Sequence, residues 1–356
     1  MFVMRAVRSD DLDQLLELAA ARTFGLTTLP HDRDVLDHRI RESERAFEKV
    51  DDRSRGESFL LVMEESETKQ VVGTSGMVSK VGGFEPFYAY RIETSIHHSD
   101  SLNVHREVSA LHLVAEHNGP CEIGSLFLLP ECRGEGRGRL LSLARFLFMA
   151  EYRQLFDPLV IAEMRGVIDE QGHSPFWDGL GSHFFQIDFP RADYLSAVDK
   201  RFIAELMPRH PIYVPLLPAK TQSVIGQVHE RTRPALRLLE NEGFALSGMV
   251  DIFEAGPVVS SPLNEIRAVR ESRRSTVSQI VDASVDAPMC VVANVQDEFR
   301  ATATRLGFQV EDTVHLDRPT AEALAVTVGD DIRYVSIRPS ESFAEPRRKS
   351  GDQEIV

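Results

Sequence analysis

The sequence predicts an α+β fold with a small β-rich domain at its C-terminal end. Three observations predict it. Short apolar runs bounded by polar turns recur in the first half, as at residues 58–63 and 70–81, which the polar stretch 64–69 joins as a hairpin. Long segments with apolar residues at helical spacing alternate with them, chiefly 34–50 and 139–152. From Gly256 the composition shifts towards strand-like runs separated by turn residues.

The elements follow in order. Residues 2–7 are mostly apolar and predict a strand. Ser9 precedes Asp10 and Asp11, and Leu12, Leu15, Leu16 and Leu18 predict a helix with acidic residues in its first turn. GLTTLP at 25–30 predicts a loop, and 34–50 a charged amphipathic helix. Phe87, Tyr88, Tyr90 and Ile92 are strand-like, whereas 102–113 is open between helix and strand. A buried strand is expected at 158–163. Residues 165–230 carry several prolines and aromatics and predict an insertion, with Ser174 to Trp177 in a turn, a helix over 194–206 and no regular helix over 210–218. Pro234 suits a helix start, ALRLLENEGF (235–244) the helix, and Gly243 its stop. A closing strand is expected at 249–254. Gly256, Pro257, Ser260, Ser261 and Pro262 predict a linker. Strands are expected at 265–270, 289–293 and 332–337, with a turn at Gly329 and Asp330, and a disordered tail over 341–356. The expected division is thus 1–255, 256–340 and 341–356.

Lys+Arg 40 against Asp+Glu 55 gives a net charge of −15, which argues against nucleic acid and anionic membranes as partners. Cys121, Cys132 and Cys290 are scattered, so neither a disulfide framework nor a zinc site is indicated. His105, His112 and His117 lack the spacing of a metal motif, and no metal is expected. The charged first twenty residues are unlike a signal peptide, and no apolar run reaches membrane-spanning length, so a cytoplasmic protein is expected.

The chain is organised around residues 121–150, CEIGSLFLLPECRGEGRGRLLSLARFLFMA. An apolar strand at 122–129 breaks into a turn carrying Arg133, Gly134, Gly136, Arg137 and Gly138 and enters a helix. Free N–H groups of a helix's first turn attract anions, and glycines let a ligand approach the backbone closely. A P-loop requires a Gly-Lys-Ser/Thr end, which is absent, and a Rossmann fingerprint requires Gly where Arg139 stands. The pattern Arg133, Gly136, Gly138 instead resembles the Arg/Gln-x-x-Gly-x-Gly/Ala pyrophosphate loop of the GNAT acyl-CoA N-acyltransferase superfamily. The opening RAVRSDD and the helix ALRLLENEGF resemble further features of that superfamily in the same order.

A narrower resemblance covers residues 1 to about 340. GLTTLP (25–30), LFLLPECRGEGRGRLLSLARFLFMA (126–150), EMRGVIDEQGHSPFWDGLGSHFF (163–185), FIAELMPRHPIY (202–213), VIGQVHERTRPALRLLENEGF (224–244) and RAVRESR (267–273) resemble the arginine N-succinyltransferase family. The resemblance implies a GNAT-like fold with a large insertion. It also implies transfer of succinyl from succinyl-CoA to the α-amine of L-arginine, with no metal, in a homodimer or a heteromer of related chains. Arg133 to Gly138 would hold pyrophosphate, although Arg133 and Arg137 also read as solvated arginines. The N–H groups of Leu126 and Phe127 would polarise the thioester carbonyl, and the resemblance puts succinyl-CoA contact at Leu126. His229, in GQVH, would be the proton donor to the departing thiolate; by residue type alone it reads as a surface histidine. For the ligand carboxylates and the guanidinium, Arg165 with Glu163, Asp169 and Glu170 are candidates, equally readable as a structural ion-pair cluster. The alternatives are another acyl-CoA:amine transferase, acting on ornithine or using acetyl-CoA, and a CoA-binding subunit without catalysis.

Overall fold

The computed structural model describes residues 1–20, 29–49, 56–83, 86–198, 200–282, 287–296, 298–309 and 313–339. Of the expected loop at 25–30 only Leu29 and Pro30 are described, and the tail from 341 lies outside the described residues. β1 (Phe2–Ala6) carries Arg5, whose guanidinium grips both oxygens of Asp11 at 2.8 Å just before α1 (Leu12–Ala20). A buried bidentate pair fixes that turn. α2 (Arg33–Glu48) begins where Asp32 accepts the N–H groups of Asp34 and Val35. β2 (Ser58–Glu65) and β3 (Val71–Val78) form the expected hairpin. The ambiguous stretch 102–113 is strand: β4 (Phe87–Ser99) and β5 (Val104–Glu116) pair over their whole length, from Phe87↔Glu116 to Ser99↔Val104.

β6 (Cys121–Leu128), α3 (Arg137–Glu151) and β7 (Leu159–Glu163) follow as expected. α3 differs in one respect. One apolar face was expected, yet every residue from Leu140 to Ala150 is buried. Leu141, Phe146 and Met149 give it apolar residues on its other sides, and later parts of the chain cover them.

The insertion is helical where a turn was expected. A π-helical run (Trp177–Gly181) leads into α4 (Ser182–Phe185), with Trp177 stacked on Phe185 and its indole N–H on the Ile187 carbonyl at 3.1 Å. α5 (Phe189–Val198) and α6 (Arg201–Leu206) replace the one helix expected at 194–206. β8 (Ile212–Tyr213), α7 (Ala219–Val224) and α8 (Arg233–Asn241) complete the insertion and resume the main pattern. Phe176, Trp177, Phe189 and Tyr90 form a separate aromatic core, each ring worth roughly 1.5–3 kcal/mol of burial.

Next come β9 (Ala245–Val250), β10 (Pro257–Pro262) and α9 (Arg267–Glu271). Three expectations fail here. The closing strand ends at Val250, because Asp251 Oδ1 takes the N–H groups of Phe253 and Glu254 at 2.7 Å and turns the chain. The expected linker is β10, paired with β7 from Val258↔Glu163 to Pro262↔Leu159. Its prolines stand at the strand ends, where a missing N–H costs least, and Val258 and Val259 are buried. The strand expected at 265–270 is α9 instead. Arg267 there donates to Glu242 Oε1 at 2.7 Å and to the Ser336 carbonyl at 3.1 Å, joining α8's end to the last strand.

β11 (Arg273–Val281), β12 (Met289–Asn294), β13 (Arg300–Arg305), β14 (Gly307–Phe308), β15 (Thr313–Asp317), α10 (Arg318–Leu324) and β16 (Asp331–Ser336) build the β-rich end. The architecture is mixed α/β. The described strands run in one sheet, β14-β15-β11-β16-β12-β13-β1-β2-β3-β6-β7-β10-β9-β4-β5-β8. Among the described residues no helix is long and apolar enough to cross a membrane.

Candidate active site

β6 and β7 are parallel neighbours in register at only two pairs, Cys121↔Val160 and Glu122↔Ile161. Beyond them each strand follows a different partner, β6 keeping to β3 as far as Leu128 and β7 to β10 as far as Glu163. The sheet therefore parts, and a cleft of about 560 Å³ occupies the gap. A bulge in β6 falls at Ser125, which takes φ of 51° and whose carbonyl accepts the Thr74 hydroxyl at 2.7 Å.

The cleft brings together Leu126, Phe127, Arg133 and His229 of the residues expected from sequence. Consecutive N–H groups of a strand point to opposite edges, so only one of Leu126 and Phe127 can face the gap. Gly134, Gly136, Arg137 and Gly138 continue from Arg133 outside the cleft's lining. Gly134, Glu135 and Gly136 have φ of 109°, 49° and 80°, which turns the chain sharply into α3. The first intrahelical bond runs from Leu140 N–H to the Gly136 carbonyl, so the N–H groups of Gly138 and Arg139 lie ahead of it at the positive end of the helix. A Cβ built on Gly134 or Gly138 meets nothing within 4 Å among the described residues, so no contact with them demands glycine at 138. Arg133 donates to the Leu128 carbonyl at 3.3 Å and still lines the cleft. Arg137 is engaged within the loop: it donates to the Cys132 carbonyl, pairs with Glu135 and lies over the Phe2 ring.

His229 precedes α8, which itself walls the cleft with Ala235 and Leu239. Its N–H bonds the Arg165 carbonyl at 2.8 Å, and its Nδ1 accepts the Arg231 N–H at 3.2 Å, capping the short turn Glu230–Thr232. The neutral ring therefore carries its proton on Nε2. Burial, then Arg165 and Arg231, hold the imidazole below its ordinary value. A second cavity of about 1310 Å³ meets the first at Pro30, Asp193, His229 and Arg231.

Sequence reasoning missed most of the charge inside the cleft. Arg39, Glu122, Asp251 and Glu254 line it together with the expected Glu163 and Arg165. Asp169 and Glu170 do not; they line the second cavity. Glu163 is exposed to the open cleft, and partial loss of water there, with Glu122, Asp251 and Glu254 nearby, raises its carboxyl. Burial also pushes Glu254 up to about 8, against Arg165 at 3.5 Å and the Gly166 N–H at 2.8 Å. Arg39 and Arg145 are drawn down to about 10 by burial. A lone charge in an apolar run, Glu122 in CEIGSLFL or Arg145 in LLSLARFLFMA, was the available signal. Arg39 and Asp251 carry none, because each reaches the cleft only through tertiary structure. Among the described residues no group of three or more His, Cys, Asp or Glu could hold a metal ion.

Comparison with known proteins bears on this cleft. Residues 2–268 match the family model of the arginine N-succinyltransferase beta subunit, and residues 273–336 that of the same subunit's C-terminal domain. The arginine N-succinyltransferase of Enterobacter sp. (strain 638) is 43% identical over 97% of this chain and 100% of the relative. That of Photorhabdus laumondii subsp. laumondii is 44% identical over 96% and 100%. The solved structure of arginine/ornithine succinyltransferase subunit AI from Pseudomonas aeruginosa superposes with a TM-score of 0.86 at 35% identity, covering 95% of this chain and 99% of that one.

Proposed function

The chain belongs to the arginine N-succinyltransferase family, and from that premise we propose that the β6/β7 cleft moves succinyl from succinyl-CoA to the α-amine of L-arginine. The products are N2-succinyl-L-arginine and CoA, and the fold is a GNAT-like acyl-CoA N-acyltransferase fold with an insertion at about 165–230. One observation carries the reading: parallel strands part at Glu122 and Ile161 to leave a cleft with a β6 edge, a histidine and a cluster of carboxyl and guanidinium groups on its walls.

The residues divide the work. Arg133 and the turn through Gly134, Gly136 and Gly138 hold the donor's pyrophosphate, and Arg137 braces the turn. The N–H of Leu126 or Phe127 polarises the thioester carbonyl. The amine attacks that carbon, the C–S bond breaks, and the thiolate takes a proton from His229 Nε2. His229 is neutral at rest, with its pKa held down by burial and then by two arginines. Donor phosphates and the developing thiolate bring in the negative charge that favours the imidazolium, which forms when Nδ1 takes a proton and gives up the Arg231 N–H; giving its Nε2 proton to the thiolate then leaves a neutral ring protonated on Nδ1. The ammonium proton of the substrate leaves to a cleft carboxylate, and Glu254, at about 8, has the proton affinity for this near neutral pH. The carboxylates around Glu163 also suit a cationic substrate.

Succinyl-CoA is made and used inside cells, which supports a cytoplasmic enzyme. The Pseudomonas relative is described as a subunit of an arginine/ornithine succinyltransferase, which favours a homodimer or heteromer of related chains and, as a second reading, ornithine as an additional amine. The test is thiol release by the purified protein with succinyl-CoA or acetyl-CoA against L-arginine, L-ornithine and L-lysine. Succinyl-CoA with L-arginine is expected to turn over fastest. Equal turnover of acetyl-CoA and succinyl-CoA at saturating amine rejects the proposal, and a faster rate with ornithine selects the second reading.

A further inference from the structure

Arg39 reaches the cleft from α2 and has no place in the roles above. Its Nη2 donates to the Ser125 hydroxyl at 2.6 Å, while its Nη1 is buried and has no hydrogen-bond partner among the described residues. A buried guanidinium with an unmatched N–H group is expensive, and structures keep one where something else completes it. A Cβ on Gly76 would come 2.9 Å from the Ser125 hydroxyl and 3.3 Å from Arg39 Nη2, so glycine at 76 is what lets this pair stand there. Glu122 and Glu42 act on Arg39 through space, and burial pushes the Glu122 carboxyl up, which weakens its claim on the cation. Ser125 is the bulge residue immediately before Leu126, so the guanidinium lies beside the strand edge where the thioester carbonyl is proposed to bind.

We propose that Arg39, anchored by Ser125, receives the distal carboxylate of the acyl group and so selects a dicarboxylic acyl donor over a neutral one. The inference rests on the succinyl transfer proposed above and adds the residue that reads the donor. A succinyl group carries its free carboxylate two methylenes from the thioester carbon. An acyl chain that ends in a methyl group leaves Nη1 unmatched. Sites built to hydrogen-bond a polar group discriminate strongly against analogues lacking it, because the buried partner stays unpaired.

The experiment compares succinyl-CoA with butyryl-CoA, which has a methyl group where succinyl has its carboxylate. kcat/KM with L-arginine is measured for both donors, and binding of each donor without amine is followed by calorimetry. The proteins are the wild type, Arg39→Gln and Arg39→Lys, each checked by thermal melting. The succinyl-to-butyryl preference is expected to fall by about 100-fold in Arg39→Gln and by about 10-fold in Arg39→Lys, which keeps the charge and loses the fork. A purely structural tie between α2 and β6 would change both donors alike. Preference within about threefold of wild type in both folded variants overturns the assignment. If Arg39→Gln does not fold, an unchanged preference in Arg39→Lys overturns it alone. A wild type that binds and uses both donors equally overturns the succinyl reading as well, and so separates the two failures.

Discussion

His229 is held by the same backbone that it caps. Its Nδ1 accepts the Arg231 N–H and its own N–H donates to the Arg165 carbonyl, so the ring cannot turn without releasing the turn Glu230–Thr232 ahead of α8. This leaves Nε2–H as the bond free to face a bound donor, while the acid form requires Nδ1 to take a proton and release the Arg231 N–H. The resting pKa lies below the ordinary histidine value, so the acid form is scarce in the free enzyme and gains ground only once anionic donor is bound. Loss of the ring should therefore be felt in turnover. His229→Ala is expected to lower kcat by roughly 10²–10⁴-fold with little change in donor KM. In the wild type the single-turnover rate should fall with rising pH as the loaded imidazolium deprotonates, and that limb should vanish in the variant. Single-turnover acyl transfer between roughly pH 6 and 9, with circular dichroism as the check on folding, measures both. A folded variant that keeps more than about a third of the rate would involve less than about 1 kcal/mol of barrier, and His229 would not be the acid.

The unit β6–loop–α3 joins the cleft to the anion end of a helix, and its glycines make separable forecasts. At Gly136 the positive φ of 80° and an Ile337 methyl 3.3 Å from a Cβ make any side chain strain the loop itself. At Gly138 a Cβ meets no atom of the described residues within 4 Å. Gly138→Val should therefore fold normally and raise the donor KM well above any change in the amine KM, because the added branch stands where pyrophosphate approaches. Unchanged donor KM in the folded variant would make the loop merely structural. This unit was legible in the sequence because strand, turn and helix follow within thirty residues and their signals are local. β10 was not, since Gly, Pro and Ser spell a linker until β7 and β9 pair on either side of it. α9 was missed because Arg267, buried against Glu242, depends on a residue far away in sequence. The same distance hid Arg39, Asp251 and Glu254, whereas His229 and Glu163 lay inside blocks that carried the resemblance.

At the scale of the molecule, the N-terminal strand stitches the two family segments into one sheet. β1 pairs with β2 on one side and with β13 on the other, from Val3↔Thr302 to Arg5↔Arg300. α3 then packs against β12 and β13 as well as β3, so opening the cleft disturbs both parts. That coupling makes the cleft's acids a property of global stability. Glu122, Asp251 and Glu254 all have carboxyls raised by burial. A raised folded pKa means that the folded state binds the proton more tightly than the unfolded state. The stability it contributes is complete below the ordinary carboxylate value and is lost as pH rises through the folded value, about 8 for Glu254. His229, lowered, acts in the opposite sense and only below its ordinary value of about 6.5. From about pH 6.5 upward the acids therefore decide the sign, and the melting temperature should fall between about pH 6.5 and 8.5. Glu254→Gln imitates the protonated side chain, with an amide oxygen for the Gly166 N–H. It should already melt above wild type at the lower pH, where the unfolded side chain is ionised, and the gap should widen towards the higher pH, to at most a few kcal/mol of stability. Glu67→Gln, at an exposed site, removes the same charge without that burial and corrects for self-repulsion in a chain of net charge −15. Thermal melts of the three proteins across that range decide it: parallel curves for wild type and Glu254→Gln would mean that Glu254 is ionised throughout and does not govern the alkaline loss of stability.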